Sequence, residues 1–310
     1  MRADVELFSY RNADSSIRAG VRVDGALFDA ADFLGDPGYS SVRAMLSDWA
    51  TVDLRLHERL AAQVQNSLEP LGPLPLEAPL IPGAIYCAAA NYRDHMHAMA
   101  VKLNQPDEPD PRELDINPYH FVLPGPTCTS GPEERIRLPS SGSKIDWEIE
   151  LVAVIGAPTR NVTIERALDH VAAYTIGIDV SVRDARYIKI PNVSDHSVFR
   201  NDFVAMKGFE KSCVVGPWLT LARQVPDPQA LSMKLWIDDE LMQDSSTAQM
   251  VFSTAEQIAY LSQRTALLPG DLVMTGTPAG TGMERDRFLR RGERVRTWIE
   301  RIGEMSQEVM

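Results

Sequence analysis

Polar and apolar residues alternate along the segment SKIDWEIELVAVIG, residues 143–156. Successive side chains of a β-strand point to opposite faces, so one face of this segment is apolar and the other is acidic. The acidic face carries Asp146, Glu148 and Glu150. Residues 151–155 are entirely apolar, as in a strand that is buried on both sides. The pattern therefore predicts a strand that carries three carboxylates as it enters the core.

The first 70 residues combine strand and helix patterns in a small module. The segment RAGVRVDGALFDAADFL predicts a hairpin that turns at Asp24-Gly25, a dipeptide that favours tight turns between antiparallel strands. A helix is predicted next, because apolar side chains recur on one helical face at Val42, Met45, Leu46 and Trp49. Residues 69–83 hold five prolines and two glycines, which indicates a linker or an extended connection. We predict a small α+β domain over residues 1–72 and a larger domain over residues 73–310.

The larger domain shows many strand patterns and few helices. A short strand and a loop are predicted around NYRDH, followed by an acidic, proline-rich surface excursion over residues 101–119 that has the character of a lid. A helix after Thr163 is predicted to run into a strand that ends near Asp179, and Ser253 with Glu256 has capping-box spacing. The regular βαβ alternation of a Rossmann or TIM fold is missing from the pattern. The fold class is predicted as α+β, mostly β.

Composition limits the classes of partner. The chain of 310 residues is 44% hydrophobic and 24% charged, as in ordinary soluble globular proteins. No apolar run reaches the length of a membrane span, and the N-terminus lacks the apolar region of a signal peptide, so a cytoplasmic protein is predicted. Three widely spaced cysteines indicate neither a zinc site nor a disulfide framework. The net charge of −12 disfavours nucleic acid and anionic membranes, but does not disfavour a small anionic substrate.

The three acids have two interpretations. On an edge strand they would simply face solvent. In a buried strand their like charges would repel, and a divalent cation would remove the conflict. Mg²⁺, Mn²⁺ and Ca²⁺ prefer carboxylate oxygens, and Glu148 and Glu150 can reach one ion from the same strand face. Asp179, at the end of another apolar strand, is a candidate third ligand, although it could equally cap a turn.

Three further residues are candidates whose isolated patterns are weak. His95 follows a short strand and could be either catalytic or structural. Lys207 could be an ordinary surface lysine or part of a site. Thr277 lies in TGTPAGTG, which is either only a tight turn or a loop whose hydroxyl and backbone N–H groups hold an anionic oxygen.

Five segments occur in one characteristic order: NYRDH, IDWEIELVAVIG, IDVSVRD, KGFEKSCVVGPW and LLPGDLVMTGTPAGTG. In these segments the chain resembles the fumarylacetoacetate hydrolase family, over roughly residues 80–285. Residues 1–70 also look like the small N-terminal domain of the longer bacterial members. The resemblance implies a mixed, strongly curved β-roll or sandwich body with flanking helices, and a homodimer.

The resemblance also assigns roles by position. It implies that Glu148, Glu150 and Asp179 bind Mg²⁺ or Mn²⁺, with Ca²⁺ as a possible occupant in crystals, and that Asp146 supports them. His95 falls on the residue that activates water. The remaining implied roles are Lys207 beside the developing oxyanion and, as substrate-binding candidates, Thr277, Arg183 and Tyr92.

The chain departs from the family pattern beside His95. Hydrolytic members have glutamate three residues after this histidine, where this chain has Ala98. An acid from residues 101–119, or His97, could replace that glutamate. Other departures stand at Ile178, Arg186, Glu210 and Val214. Residues 101–119 and 186–202, outside the motifs, are expected to shape the pocket.

These observations predict a metal-dependent enzyme that acts on a 2-oxo or 1,3-dicarbonyl acid through a metal-stabilised enolate. Hydrolysis of a C–C bond of acylpyruvate type ranks first. Decarboxylation, tautomerisation or isomerisation of the same substrate class is the alternative, because such reactions do not depend on an activated water. A catalytically inert, metal-binding structural protein is a third hypothesis. The expected partners are a small anionic oxo acid and a second copy of the chain, and neither nucleic acid nor membrane.

Overall fold

The computed structural model describes residues 3–139, 144–184 and 202–310. The strands are β1 (Val5–Arg11), β2 (Ile17–Val23), β3 (Ala26–Asp29), β4 (Leu76–Glu77), β5 (Ala84–Ala88), β6 (His120–Pro124), β7 (Thr129–Ser130), β8 (Ile145–Asp146), β9 (Ile149–Ile155), β10 (Val171–Asp179), β11 (Ser181–Val182), β12 (Cys213–Leu221), β13 (Ser232–Ile237), β14 (Glu240–Ser246), β15 (Leu272–Met274), β16 (Arg294–Ile299) and β17 (Gly303–Glu308). The α-helices are α1 (Ala30–Leu34), α2 (Val42–Ser47), α3 (Trp49–Ala61), α4 (Arg93–Leu103), α5 (Gly125–Cys128), α6 (Ile164–Ala167), α7 (Phe203–Lys207), α8 (Thr254–Arg264) and α9 (Gly282–Arg285).

A mixed sheet is the largest sheet in the described part of the chain. Eleven strands take part, in the order β3-β2-β1-β12-β10-β9-β15-β5-β6, with β4 paired to β1 and β7 paired to β12. Strands β9, β10 and β12 pair antiparallel, whereas β15 pairs antiparallel with β9 and parallel with β5. This architecture confirms the predicted α+β class and the mixed sheet.

Strand β9 is buried on both faces, as its unbroken apolar run predicts. Its odd-numbered residues from 149 to 155 belong to one hydrophobic cluster, while Val152 and Val154 belong to another on the opposite face. The strand is not continuous with the acids before it. Regular pairing stops after Asp146 and resumes at Ile149, so the predicted single strand is divided into β8 and β9.

The N-terminal strands extend the same sheet. β1 pairs antiparallel with β12, placing Leu7 opposite Leu219. The β2–β3 hairpin turns at Asp24 and Gly25, which both have positive φ angles, and this confirms the predicted turn. The predicted helix that follows is divided at Asp48, whose carboxylate accepts a hydrogen bond from the Tyr39 hydroxyl at 2.6 Å. The boundary near residue 72 stays a prediction, because strands from both sides of it share one sheet.

Two further predicted elements differ from the structure. The helix after Thr163 covers only Ile164–Ala167, and β10 follows because residues 171–179 pair with both β9 and β12 and are buried throughout. The predicted loop after β5 is instead helix α4, whose alanine, methionine and leucine residues favour a helix. The irregular excursion therefore begins only at Asn104. The capping box of Ser253 and Glu256 begins α8 as predicted.

A smaller antiparallel sheet, in the order β14-β13-β16-β17, covers one side of the molecule's core. Its inward residues, such as Leu235 and Val295, share a hydrophobic cluster with Trp147 and with one face of β9. The remaining pair joins β11 to β8, which contains Asp146 of the acidic segment. Within the described part of the chain, no helix is long and apolar enough to cross a membrane.

Candidate active site

The three predicted metal ligands lie together where two central strands meet. Glu148 immediately precedes β9, Glu150 is the second residue of β9, and Asp179 is the last residue of β10. The strands are antiparallel, so the start of one lies beside the end of the other, and the Asp179 N–H donates to the Glu148 carbonyl at 2.9 Å. One carboxylate oxygen from each of the three residues lies within 4.8 Å of the others. The structure thus brings Asp179 together with Glu148 and Glu150, which lie far from it in the sequence.

The electrostatics of this carboxylate cluster fit a divalent cation. All three side chains are buried, and Oδ1 of Asp179 has no hydrogen-bond partner among the described residues. Burial raises the pKa of Glu150, and the charge of Asp179 raises it further. Burial likewise raises the pKa of Asp179. Oxygen ligands that are close, buried and mutually repelling are the donor set that a hard cation such as Mg²⁺ or Mn²⁺ satisfies.

Two cationic side chains contact the carboxylate cluster. Lys207 ends helix α7, and its Nζ donates to Oε2 of Glu148 at 2.7 Å and also contacts Oδ2 of Asp179. The Lys207 side chain is only 8% exposed, which excludes an ordinary surface lysine. Arg183 pairs with Glu148 and, through Nε, with Oδ2 of Asp146 at 3.2 Å. Lys207 and Arg183 therefore both contact the carboxylate cluster, and their roles in the reaction stay predictions.

Asp146 links the acidic segment to helix α9. Its Oδ1 accepts a hydrogen bond from the Gly282 N–H at 2.5 Å, and its Oδ2 accepts one from the Met283 N–H at 3.1 Å. These donors are free N–H groups of the first helical turn, which carboxylates commonly cap. Asp146 therefore supports the site without joining the three clustered carboxylates, as the resemblance implies.

Thr277 and Gln243 connect the glycine-rich loop to strand β9. The Thr277 hydroxyl donates to the Ile149 carbonyl at 2.8 Å and accepts from Nε2 of Gln243 at 3.0 Å. Gln243 also donates to the Pro278 carbonyl and accepts from the Ile149 N–H at 3.1 Å. Glu150 is tied to the same loop, because its Oε2 accepts from the Gly276 N–H at 2.7 Å. No local pattern in the sequence marks Gln243, which lies in the otherwise ordinary strand β14.

His95 lies in the first turn of α4, and its ring contacts a carboxylate. Nδ1 of His95 is 2.5 Å from Oε1 of Glu284, in helix α9. Glu284 lies outside residues 101–119, the candidate source of such an acid, and Asp107 of that segment contacts Nδ1 of His97 at 2.8 Å. Glu284 was missed because it is distant in sequence. The only local pattern that marks it is the capping-box spacing from Thr281.

A cavity of about 120 Å³ joins these residues. The candidates that line it are His95, Glu148, Arg183, Lys207 and Thr277, and its other walls come from Ala88, Ala89, Ala90, Phe121, Phe203 and Met206. The remaining candidate, Tyr92, is not among the residues that line this cavity. It is fully buried in the core, and its hydroxyl points to the sulfur of Met233 at 3.4 Å.

Residues 186–202 were expected to shape the pocket, but almost all of them, including Arg186, lie outside the described residues. Only Asp202 of that segment is described. Its carboxylate accepts from the Ala205 N–H at 2.9 Å and caps α7, the helix that carries Lys207.

The family model for the fumarylacetoacetate (FAA) hydrolase C-terminal domain matches residues 84–310. The chain belongs to the fumarylacetoacetate hydrolase family. The match includes β9, β10, α7 and the glycine-rich loop, and so every element that positions the cavity residues described above.

Proteins of the fumarylacetoacetate hydrolase family that are similar to this chain are named for different enzymatic activities. The mitochondrial oxaloacetate tautomerase fahd2 of Xenopus laevis is 35% identical over 231 residues, 74% of this chain and 66% of the relative. The mitochondrial oxaloacetate tautomerase FAHD2B of Bos taurus is 34% identical over 257 residues, 81% and 74% of the two chains. The crystal structure of maleylpyruvate hydrolase from Sphingobium sp. SYK-6, in complex with manganese(II) and pyruvate, has a TM-score of 0.73 and 28% identity, and the match covers 99% of this chain and 98% of the neighbour. That coverage includes the N-terminal residues and fits a longer type of family member.

Proposed function

We propose that this protein is a divalent-metal-dependent enzyme that hydrolyses a C–C bond of an acylpyruvate-type 2-oxo acid. The observation that carries the proposal is the shared cavity, in which His95 faces the same space as Glu148 and Lys207. A proton-accepting ring and a cluster of metal-binding carboxylates around one cavity are the parts that hydrolysis of such a substrate needs.

The metal would be held by Glu148, Glu150 and Asp179. Either Mg²⁺ or Mn²⁺ suits these three oxygen donors. When bound, such a cation supplies Lewis-acid polarisation to the oxygens of a 2-oxo acid. The manganese in the Sphingobium neighbour supports Mn²⁺ as the first ion to test.

The protein's own cations would bind the substrate's negative charge. Lys207 and Arg183 both line the cavity, and each already contacts a carboxylate there. A substrate carboxylate or a developing oxyanion offers the same chemistry to these groups. Thr277 lines the same cavity and is the third proposed substrate contact.

His95 would move the protons. In hydrolysis, the His95 ring accepts a proton from water, and the resulting hydroxide oxygen bonds to the acyl carbonyl carbon. The bond between that carbon and the adjacent CH₂ then breaks, and its electron pair passes to the CH₂ carbon. Return of the proton to this carbon completes the reaction, so that acylpyruvate and water give a carboxylic acid and pyruvate.

Tautomerisation of an oxaloacetate-type 2-oxo acid is the second candidate. The two tautomerases at 34–35% identity favour it. The same His95 ring would accept a proton from the carbon between the two carbonyl groups and deliver it to the enol oxygen. The reaction then ends without C–C cleavage.

One substrate panel separates these functions. Purified protein is incubated with acetylpyruvate, longer acylpyruvates and oxaloacetate, in Mg²⁺, in Mn²⁺ and in EDTA. Released pyruvate measures C–C cleavage, and the enol absorbance of oxaloacetate measures tautomerisation. We expect metal-dependent pyruvate release from an acylpyruvate, which Glu148→Gln abolishes. Enol–keto exchange without pyruvate release would favour the second candidate, and no metal-dependent turnover of any of these acids would overturn both.

A further inference from the structure

We infer that Glu284 is the positioning residue that fixes the ring of His95 for proton transfer, in place of the carboxylate that Ala98 cannot provide. This inference rests on the proposed function of His95. Glu284 lies in α9, and His95 lies in α4, which is 189 residues away along the chain. Their side chains are 8% and 17% exposed, so the contact is largely shielded from water.

The contact selects one tautomer of the histidine. A carboxylate can only accept hydrogen bonds, so Nδ1 of His95 must carry the proton that it shares with Oε1 of Glu284 at 2.5 Å. In the neutral ring, Nε2 then carries no proton. Nε2 is therefore the nitrogen that can accept a proton from water or from the substrate, and the Glu284 charge supports the imidazolium that forms.

Glu284 is itself held in place by the backbone. Its second oxygen, Oε2, accepts from the N–H groups of Gly280 at 2.5 Å and Thr281 at 3.2 Å. The next residue of the same turn contacts the acidic segment, because the Asp146 carboxylate accepts a hydrogen bond from the Gly282 N–H. Helix α9 therefore positions Glu284, and the same short helix contacts Asp146, which lies beside the metal ligands in the sequence.

Other carboxylates near α4 have different partners. The Asp94 carboxylate accepts hydrogen bonds from the Ser245 hydroxyl at 2.5 Å and from the backbone N–H of His95 at 2.8 Å. Asp107 contacts His97. Asp286 pairs with Lys102 at the far end of α4, which also ties this helix to α9. Among the described residues, Glu284 is the carboxylate that contacts the His95 ring.

The variant Glu284→Gln tests the role. Glutamine can still accept the two backbone hydrogen bonds through its single oxygen, as in capping boxes generally. Its NH₂ group then faces Nδ1 of His95 and donates to it, which moves the ring proton to Nε2. We expect kcat to fall at least about 100-fold with KM changed by less than about threefold, because proton transfer is lost while substrate contacts remain. The matched control is Asp107→Asn, which removes a carboxylate from the neighbouring exposed histidine and should leave kcat unchanged.

Rescue distinguishes positioning from a merely structural role. Ala98 is three residues after His95, and residues three apart on a helix lie on the same face. In the Glu284→Gln background, Ala98→Glu should therefore recover kcat at least about tenfold. Ala98→Glu alone should give no increase, because Glu284 already occupies Nδ1. A Glu284→Gln enzyme with unchanged kcat, or one that Ala98→Glu does not rescue, would overturn the inference.

A spectroscopic measurement tests the contact without any substrate. Nitrogen-15 NMR of the neutral histidine rings distinguishes the two tautomers, and His95→Gln identifies the His95 signal. We expect the proton on Nδ1 in the wild type and on Nε2 in Glu284→Gln, with thermal melting confirming that the variant is folded. An Nε2–H tautomer in the wild type would refute the positioning role. If no oxo acid is turned over but the tautomer changes as expected, the proposed reaction fails and the contact stands.

Discussion

Replacing Lys207 with methionine should destabilise the metal-free protein strongly and the metal-bound protein weakly. Lys207 is 6% exposed and is the buried ammonium group that contacts both Glu148 and Asp179. Hydrogen bonds to charged groups contribute about 1.5–3 kcal/mol each, and removing one partner of a buried ion pair costs about 3–5 kcal/mol. Because the lysine is buried, screening by solvent does not reduce these values. We therefore expect the free energy of unfolding to fall by about 3–5 kcal/mol in EDTA.

Saturating Mn²⁺ should reduce that loss by more than half. A divalent cation at Glu148, Glu150 and Asp179 would provide the positive charge that the methionine variant lacks. By linkage, the variant should then bind Mn²⁺ more tightly than the wild type. Urea unfolding in EDTA and in Mn²⁺, with calorimetric titration of Mn²⁺, measures both effects.

The matched control is Lys211→Met, four residues further along. Lys211 pairs with the single carboxylate of Glu134 at 3.0 Å, and the two side chains are 26% and 36% exposed. Partly exposed pairs of this kind contribute about 0–1 kcal/mol, so its loss should be small and insensitive to Mn²⁺. Equal stability of Lys207→Met and the wild type, or an equal loss with and without Mn²⁺, would refute the argument.

Three further predictions address the pH dependence, the metal and the assembly. Burial lowers the pKa of His120 from 6.5 to about 4, so its contribution to stability is present above pH 6.5 and is lost as the pH falls towards 4. This loss is at most about 3.5 kcal/mol, and His120→Gln should flatten the pH dependence of stability in urea unfolding series, whereas an unchanged slope would contradict the burial argument. Glu150→Gln should keep or raise the melting temperature in EDTA, since it removes a carboxyl group whose ionised form is disfavoured by burial and by the charge of Asp179, and should weaken Mn²⁺ binding at least about tenfold by calorimetry; undiminished binding would exclude Glu150 as a ligand. Sedimentation should show a homodimer at micromolar concentration, and a monomer alone would contradict that prediction.

Local sequence patterns determined the elements that depend on contacts between residues close together in the chain. The Asp24-Gly25 turn and the Ser253 capping box follow from residue types that fix short-range hydrogen bonds. The apolar run of β9 required burial on both faces and therefore a central position in the sheet. Fixed spacing also put Glu148 and Glu150 two residues apart. These properties depend on backbone geometry over a few residues, which the sequence specifies directly.

Contacts between distant segments were decided by the tertiary structure. Antiparallel pairing of β9 with β10 places Asp179 beside Glu148, and no local pattern separates a ligand there from a cap. The same holds for His95. The residues around it form helix α4 where a loop was predicted, and from this helix the His95 ring contacts Glu284 of α9.

Glu284 illustrates the limit most clearly. The sequence alone showed that Ala98 could not hold His95, but it could not show which carboxylate would. The two side chains meet because Asp146 and Lys102 bring α9 against the acidic segment and α4. A hydrogen bond depends on atoms within about 3 Å of each other, and for residues 189 positions apart only the folded chain sets that distance.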